Sequence, residues 1–143
     1  LQDHPRNMTN DMITSLGESG GVINVNFVSG FVGYGMASGH EEPTKAPLDE
    51  MIDPFDFLVK KGSGVGPPIS RLMDHFDLAV KLAGPTNVGI GTDYDGASHF
   101  PVGLDDISFM PLVTDALLDR GHSLDVVAGI LGANDLRLLR GTL

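Results

Sequence analysis

The sequence predicts an α/β fold with parallel strands, on three observations. Helix-like and strand-like segments alternate along the 143 residues. Two short runs rich in Val, Ile and Gly, "GGVINVNF" (20–27) and "NVGIGTD" (87–93), read as buried strands. An amphipathic helical pattern lies between them, the connection that parallel strands need.

Each element has its own local signature. Residues 9–18 read as a short helix, with Thr9 as its cap, Met12, Ile13 and Leu16 on the apolar side, and Asp11 and Glu18 facing water. Residues 29–68 are rich in Gly and Pro and read as loop, with a short helical piece around 48–60. The strongest helix is 70–84, "SRLMDHFDLAVKLAG". Leu72, Met73, Phe76, Ala79, Val80 and Ala83 form one apolar face; Ser70 is its candidate cap and Gly84 its stop. After the second strand, a loop runs through "YDGASHFPVGLDD". Two helices follow, 108–120 and 123–140, with Ser108 and Ser123 as candidate caps and Gly121 as the break between them. Two parallel strands alone leave both edges open, so either further strands lie in the loop text or the sheet is part of a larger one. The start "LQDHPRNMTND" reads as a chain entered in the middle, which favours the second alternative.

Composition removes several function classes. The net charge is −10, from 19 acidic and 9 basic residues, and its field repels a phosphate backbone, so nucleic acid is not an expected partner. No apolar run is long enough to span a bilayer, and no membrane partner is expected. Cysteine is absent, which leaves no disulfides or thiolate ligands and suits a reducing compartment, so a cytoplasmic location is expected.

The chemistry concentrates at the end of the second strand. Asp93 and Asp95 lie where parallel strands of α/β barrels and open sheets build active sites. A carboxylate there can bind metal, hold an ammonium group or move a proton. The plainer reading is an Asp-rich turn with Gly96 at positive φ. Asp93, nearer the strand, is the preferred functional residue. His99 reads as a surface histidine and His75 as an exposed or helix-flank one. Asp105 and Asp106 read as structural acids at a helix N-terminus. Asn24 and Asn26 are polar residues in a buried strand; such an amide must be bonded, so Asn26 is a candidate to orient site groups. Arg6 can grip a carboxylate in bidentate fashion. No HExxH, Walker loop, GxSxG or Cys/His zinc cluster is present.

The segments "HPRNMTNDMITSLGESGGVINVNF", "DHFDLAVKLAGPTNVGIGTDYDG", "PVGLDDISFMPLVTDALLDRGHS" and "GILGANDLRLLR" resemble the last third of the renal, or membrane, dipeptidase family of zinc peptidases. The likeness covers nearly all of the chain except 33–68. It implies that residues 1–143 are the C-terminal segment of a (β/α)8 barrel domain, with "GGVINVNF" as strand seven and "NVGIGTD" as strand eight. It implies metal-dependent hydrolysis of dipeptides, with two zinc ions whose ligands lie upstream and none in this chain. By the resemblance, Asp93 is the catalytic aspartate, Arg6 the substrate-carboxylate arginine, Phe31 stands where a substrate-lining tyrosine is found, and Gly96 lies at the pocket wall. The partners so implied are a dipeptide substrate and the rest of the barrel, on an upstream segment or a second chain, with homo-oligomerisation left open. The rival readings are another amidohydrolase-like barrel hydrolase and a non-catalytic module derived from a barrel.

Overall fold

Residues 1–33, 66–97 and 99–142 are described by the structure, a computed structural model. The first helix, α1 (Asn10–Glu18), opens as expected at Thr9, whose Oγ1 accepts a bond from the Met12 N–H at 3.3 Å. That bond satisfies one of the donors that every helix start leaves without a partner. Of its apolar trio only Ile13 is buried; Met12 stands in solvent. Gly20, at φ 77°, turns the chain into strand β1 (Ile23–Asn26), which is shorter than the run that predicted it. Phe27 leaves the ladder but is fully buried in the core. A four-residue helix, α2 (Ser29–Val32), then occupies the start of the stretch read as loop. The helical piece expected around 48–60 lies outside the described residues.

Helix α3 (Ile69–Ala83) buries Leu72, Met73, Phe76, Ala79 and Ala83, the face its periodicity predicts, with Val80 half-buried beside them. Gly84 ends it at φ 92°, as expected. Ser70 is not its cap. Pro68 takes that place, in extended conformation and with no side-chain bond, and Ser70 lies inside the first turn.

Strand β2 (Val88–Gly91) pairs with β1 in parallel, and the register is Ile23 with Val88, Asn24 with Gly89, Val25 with Ile90 and Asn26 with Gly91. Because side chains alternate, the pair has two unlike faces. Ile23, Val25, Val88 and Ile90 join Leu72, Met73 and Phe76 of α3 in one core. On the other face Gly89 and Gly91 lie against the side chain of Asn24. Asn24 itself is exposed, against the expectation of a wholly buried strand. Among the described residues the sheet has these two strands.

A 3₁₀ turn (Ile107–Phe109) leads into α4 (Met110–Asp119). Its cap is Asp106, whose Oδ1 accepts the Ser108 N–H at 2.8 Å, so Ser108 donates where it was expected to cap. A carboxylate at that place also meets the positive end of the helix dipole. Gly121 (φ 86°) breaks the chain, and Ser123 caps α5 (Leu124–Ala128) as expected. The single helix expected over 123–140 is in fact two. A kinked π-type turn, Gly129–Ala133, with Gly132 at φ 144°, separates α5 from α6 (Asn134–Thr142). The bend brings buried Asn134 to the strand, where its Nδ2 donates to the carbonyls of Pro85 (2.9 Å) and Val88 (2.8 Å).

Polar contacts tie the helices together. Arg120, just past α4, bonds Asp77 (2.8 Å), Asp74 (2.9 Å) and the Ser70 carbonyl (2.7 Å) on α3. Its hydrogen bond to Asp74 is the main reason its guanidinium pKa is raised. Buried Asn87 links α1 to α3 through the carbonyls of Gly17 (3.2 Å) and Ala83 (2.7 Å).

Helices α1 and α3 touch at Gly17. A Cβ there would collide with the backbone of Ala83, including its Cα at 2.6 Å. Alanine favours a helix interior by up to about 1 kcal/mol over glycine. Forcing atoms into a packed contact costs about 1–3 kcal/mol, and here the obstacle is backbone. Collision therefore outweighs propensity, and Gly17→Ala is expected to lower the urea-unfolding midpoint with an unchanged slope; a rise would show that the helices part freely.

Candidate functional site

The chain leaves β2 through Thr92 into a tight turn. Tyr94 turns inward, its ring packing edge-on to Phe27 (6.3 Å between centroids) and Phe100 (4.9 Å), and its hydroxyl donates to the Leu104 carbonyl at 3.2 Å. Burial, then the nearby charges of Asp106 and Asp105, push the Tyr94 phenol up to about 12. With Tyr94 anchored inside, Asp93 and Asp95 on either side of it are exposed. Both adopt left-handed backbone, at φ 62° and 67°. Aspartate is one of the few residues with a side chain that tolerates this region. Gly96, expected to hold the positive φ, does not. Its lack of a side chain leaves room for the Asp93 carboxylate, whose Oδ1 a Cβ on Gly96 would meet in this position. The strand stops at Gly91, so Asp93 lies two residues beyond it and is not its last residue.

What holds Asp93 is Asn26, at the end of β1. Its Nδ2 donates to Oδ2 of Asp93 at 3.1 Å, and its Oδ1 accepts the Val28 N–H at 2.7 Å. The buried-amide rule that singled out Asn26 in the sequence is satisfied by these two bonds.

Arg6 lies in the segment before α1. Its guanidinium carbon sits 4.8 Å from the centre of the Phe31 ring, which also stacks at a tilt with His4 (4.8 Å). Such a cation–ring contact contributes about 0.5–1 kcal/mol at an exposed site. The segment is fixed by Asn7, whose Nδ2 donates to the carbonyls of Gln2 (3.1 Å) and Phe31 (2.9 Å). Among the described residues the ion pairs join Arg71 to Asp74, Arg120 to Asp74 and Asp77, and His122 to Asp77; Arg6 is in none of them.

A cavity of about 300 Å³ opens beside Arg6, lined also by Asn7, Phe31, His75 and all four residues of β1. Since consecutive strand residues point to opposite faces, lining by all four places the cavity along the strand edge. His75 is half-buried, not exposed, with Nε2 2.8 Å from the Val32 carbonyl.

The structure thus brings Arg6 and Phe31 together at one cavity, and Asp93 and Gly96 together at the strand end. Asn26 belongs to both, lining the cavity and bonding Asp93. His99 is exposed, as read from the sequence. The roles of Tyr94 and His4 were not read from the sequence; Tyr94, a large ring between two acids in a polar loop, carried the one available signal. Among the described residues no three His, Cys, Asp or Glu side chains lie close enough to hold a metal ion together.

The model of the membrane dipeptidase family (peptidase family M19) matches residues 1–142. The dipeptidase aclJ of Aspergillus oryzae is 30% identical over 139 residues, covering 97% of this chain and 26% of that protein. Human dipeptidase 3 is 40% identical over 72 residues, covering 50% of this chain and 15% of that protein. The chain therefore spans about a quarter of the length of the curated relatives that it matches along its whole extent. Among solved structures, the probable dipeptidase PvdM of Pseudomonas aeruginosa superposes with a TM-score of 0.72 at 23% identity, covering 96% of this chain and 41% of that one. A metallo peptidase of Rhodobacter sphaeroides, liganded with a phosphinate mimic of the dipeptide L-Ala-D-Ala, gives 0.66 at 21% identity, covering 94% and 31%. At these identities the superpositions show a shared fold.

Burial lowers the His75 pKa below 6.5, against the opposing pull of its bond to the Val32 carbonyl. A histidine whose folded value lies below its unfolded one stabilises the fold fully above the unfolded value, and that stability is lost as pH falls through the folded one. Stability is expected to decline on acidification from about 6.5, and His75→Gln is expected to flatten part of that decline. Urea midpoints of both proteins between neutral and mildly acid pH check this; parallel curves would exclude a role for His75.

Proposed function

The chain belongs to the membrane dipeptidase family, peptidase family M19, and on that basis we propose that it forms the substrate-facing part of a metal-dependent dipeptidase. In this reading β1 and β2 are strands seven and eight of a (β/α)8 barrel. Among the described residues the sheet has two strands, which supports it, since parallel strands are ordinarily covered and flanked. The observation that carries the function is the double placement of Asn26. It lines the cavity that holds Arg6 and bonds the carboxylate of Asp93. The cavity holds a cation, and a residue of its lining bonds an anion, the two charges that the termini of a dipeptide require.

Arg6 receives the substrate's terminal carboxylate. It is held from the side by Phe31 and joins no ion pair among the described residues. A planar guanidinium fits a carboxylate through two parallel bonds. Phe31 has no hydroxyl, so its contribution is the ring face that orients Arg6. Asp93 holds the free amino group; its carboxylate takes a proton from the attacking water and passes it to the departing amine as the C–N bond breaks, and Gly96 leaves room beside it. The family implies a metal cofactor. Among the described residues no three potential ligands stand together. By the family resemblance the ligands for two zinc ions are assigned to the remainder of the enzyme. The relative that binds a phosphinate dipeptide mimic supports a dipeptide-sized substrate.

In the complete enzyme Arg6→Ala is expected to weaken binding of free dipeptides far more than of their C-terminal amides, by roughly 1.5–3 kcal/mol for one charge-assisted contact. Michaelis constants for matched free and amidated substrates measure this, and equal losses would make Arg6 structural.

Asp93→Asn is expected to lower the catalytic rate constant by on the order of 10²–10⁴, and Asp95→Asn far less. Bound metal is expected to stay unchanged in both. Rate constants, metal content and circular dichroism of the two variants decide it; a crippled Asp95→Asn, or loss of metal from Asp93→Asn, would reverse the assignment.

A further inference from the structure

We propose that Asn26 is a positioning residue, setting the orientation of the Asp93 carboxylate from the neighbouring strand. This rests on the reading of Asp93 as the group that meets substrate. The amide of Asn26 has a donor end and an acceptor end, and the backbone fixes which is which. Its Oδ1 is committed to the Val28 N–H at 2.7 Å, so the amide nitrogen is the atom turned to Asp93. That nitrogen donates to Oδ2 at 3.1 Å. Oδ1 of Asp93 occupies the space that a Cβ on Gly96 would take. Gly96 is itself held by its N–H bond to the Asp93 carbonyl at 3.1 Å. Among the described residues, the support from another element therefore falls on Oδ2, through Asn26.

Asp93 needs such a support. It lies beyond the last ladder pair, on an exposed turn in left-handed backbone. Nothing in the ladder itself fixes its side chain. Asn26 is inside the ladder, paired with Gly91, and lends the rigidity of the sheet to a residue outside it. Asn26 also lines the cavity that holds Arg6, so the residue that bonds the carboxylate stands beside that cavity.

A purely structural Asn26 would serve only the Val28 N–H, and the variants separate the two roles. Asn26→Asp keeps an oxygen for Val28 but has no N–H for Asp93 and sets a like charge against it. In the complete enzyme it is expected to cost on the order of 10²-fold in rate constant, the scale of a small misplacement of a reacting group. In an Asp93→Asn background the same substitution is expected to cost little, since the residue it acts through is already disabled. Asn26→Ser, whose hydroxyl can donate, is expected to recover part of the loss and also serves if Asn26→Asp unfolds. Thermal melts of all variants report folding. Equal losses in both backgrounds, or no loss from Asn26→Asp, would overturn the positioning role while leaving Asp93 in place. An Asp93→Asn enzyme of normal rate would instead remove the reading of Asp93, and the role of Asn26 with it.

Discussion

The parallel register of β1 on β2 is the constraint on which the rest depends. Pairing Asn26 with Gly91 puts an amide beside the point where β2 ends. Two residues on, Asp93 curls back within 3.1 Å of it. A slip of one residue would exchange the two faces of the strand. Val25 would leave the core for the polar side, and Asn26 would point into Leu72, Met73 and Phe76. Burying an amide without partners costs several times what a bonded one does, so the alternative registers are strongly disfavoured. The core and the candidate site are thus specified by the same ladder.

The helices serve that ladder. Helix α3 covers its apolar face, and complete burial of Leu72 and Phe76 is worth about 1.5–3 kcal/mol for each side chain. The polar contacts contribute in another way. Asn87 and Asn134 satisfy carbonyls at the start of β2, where a parallel strand meets the end of a helix and backbone acceptors are otherwise left over. Arg137 extends this set, donating to the Thr86 carbonyl at 3.0 Å and to Oδ1 of Asn87 at 3.2 Å. Structural polar groups gather at the N-terminal end of β2, and the candidate functional ones at its C-terminal end. That division is the one expected of parallel strands.

Much of this was legible in the sequence, for physical reasons that can be named. The apolar face of α3 follows from a helical period that nothing contradicts. Asn26 was legible because an amide among Val, Ile and Phe must find a partner. What escaped depended on contacts between distant residues or on competition between near ones. Ser70 and Ser108 are good caps in isolation, but Pro68 and Asp106 precede each by two residues and take the position. The kink at Gly132 accompanies the bond from Asn134 to Pro85, a contact across 49 residues. Arg6 over Phe31 spans the whole of α1 and β1, and no local spacing encodes it.

The turn after β2 shows how one buried ring divides the labour of two similar acids. Gly96 looked like the natural holder of positive φ, because glycine pays no steric penalty there. The structure assigns that conformation to Asp93 and Asp95 and uses Gly96 for clearance. The difference traces to Tyr94. Its ring is gripped by Phe27 and Phe100 and its hydroxyl by the Leu104 carbonyl, so the backbone on both sides must turn sharply to keep it inside. The two aspartates absorb that bend, and both end up at the surface. They are then distinguished by their distance from the ladder, since Asp93 alone receives the bond from Asn26. In a turn without an anchored ring, the two carboxylates would differ little. With it, Asp93 is tied through Asn26 to the strand that pairs with β2.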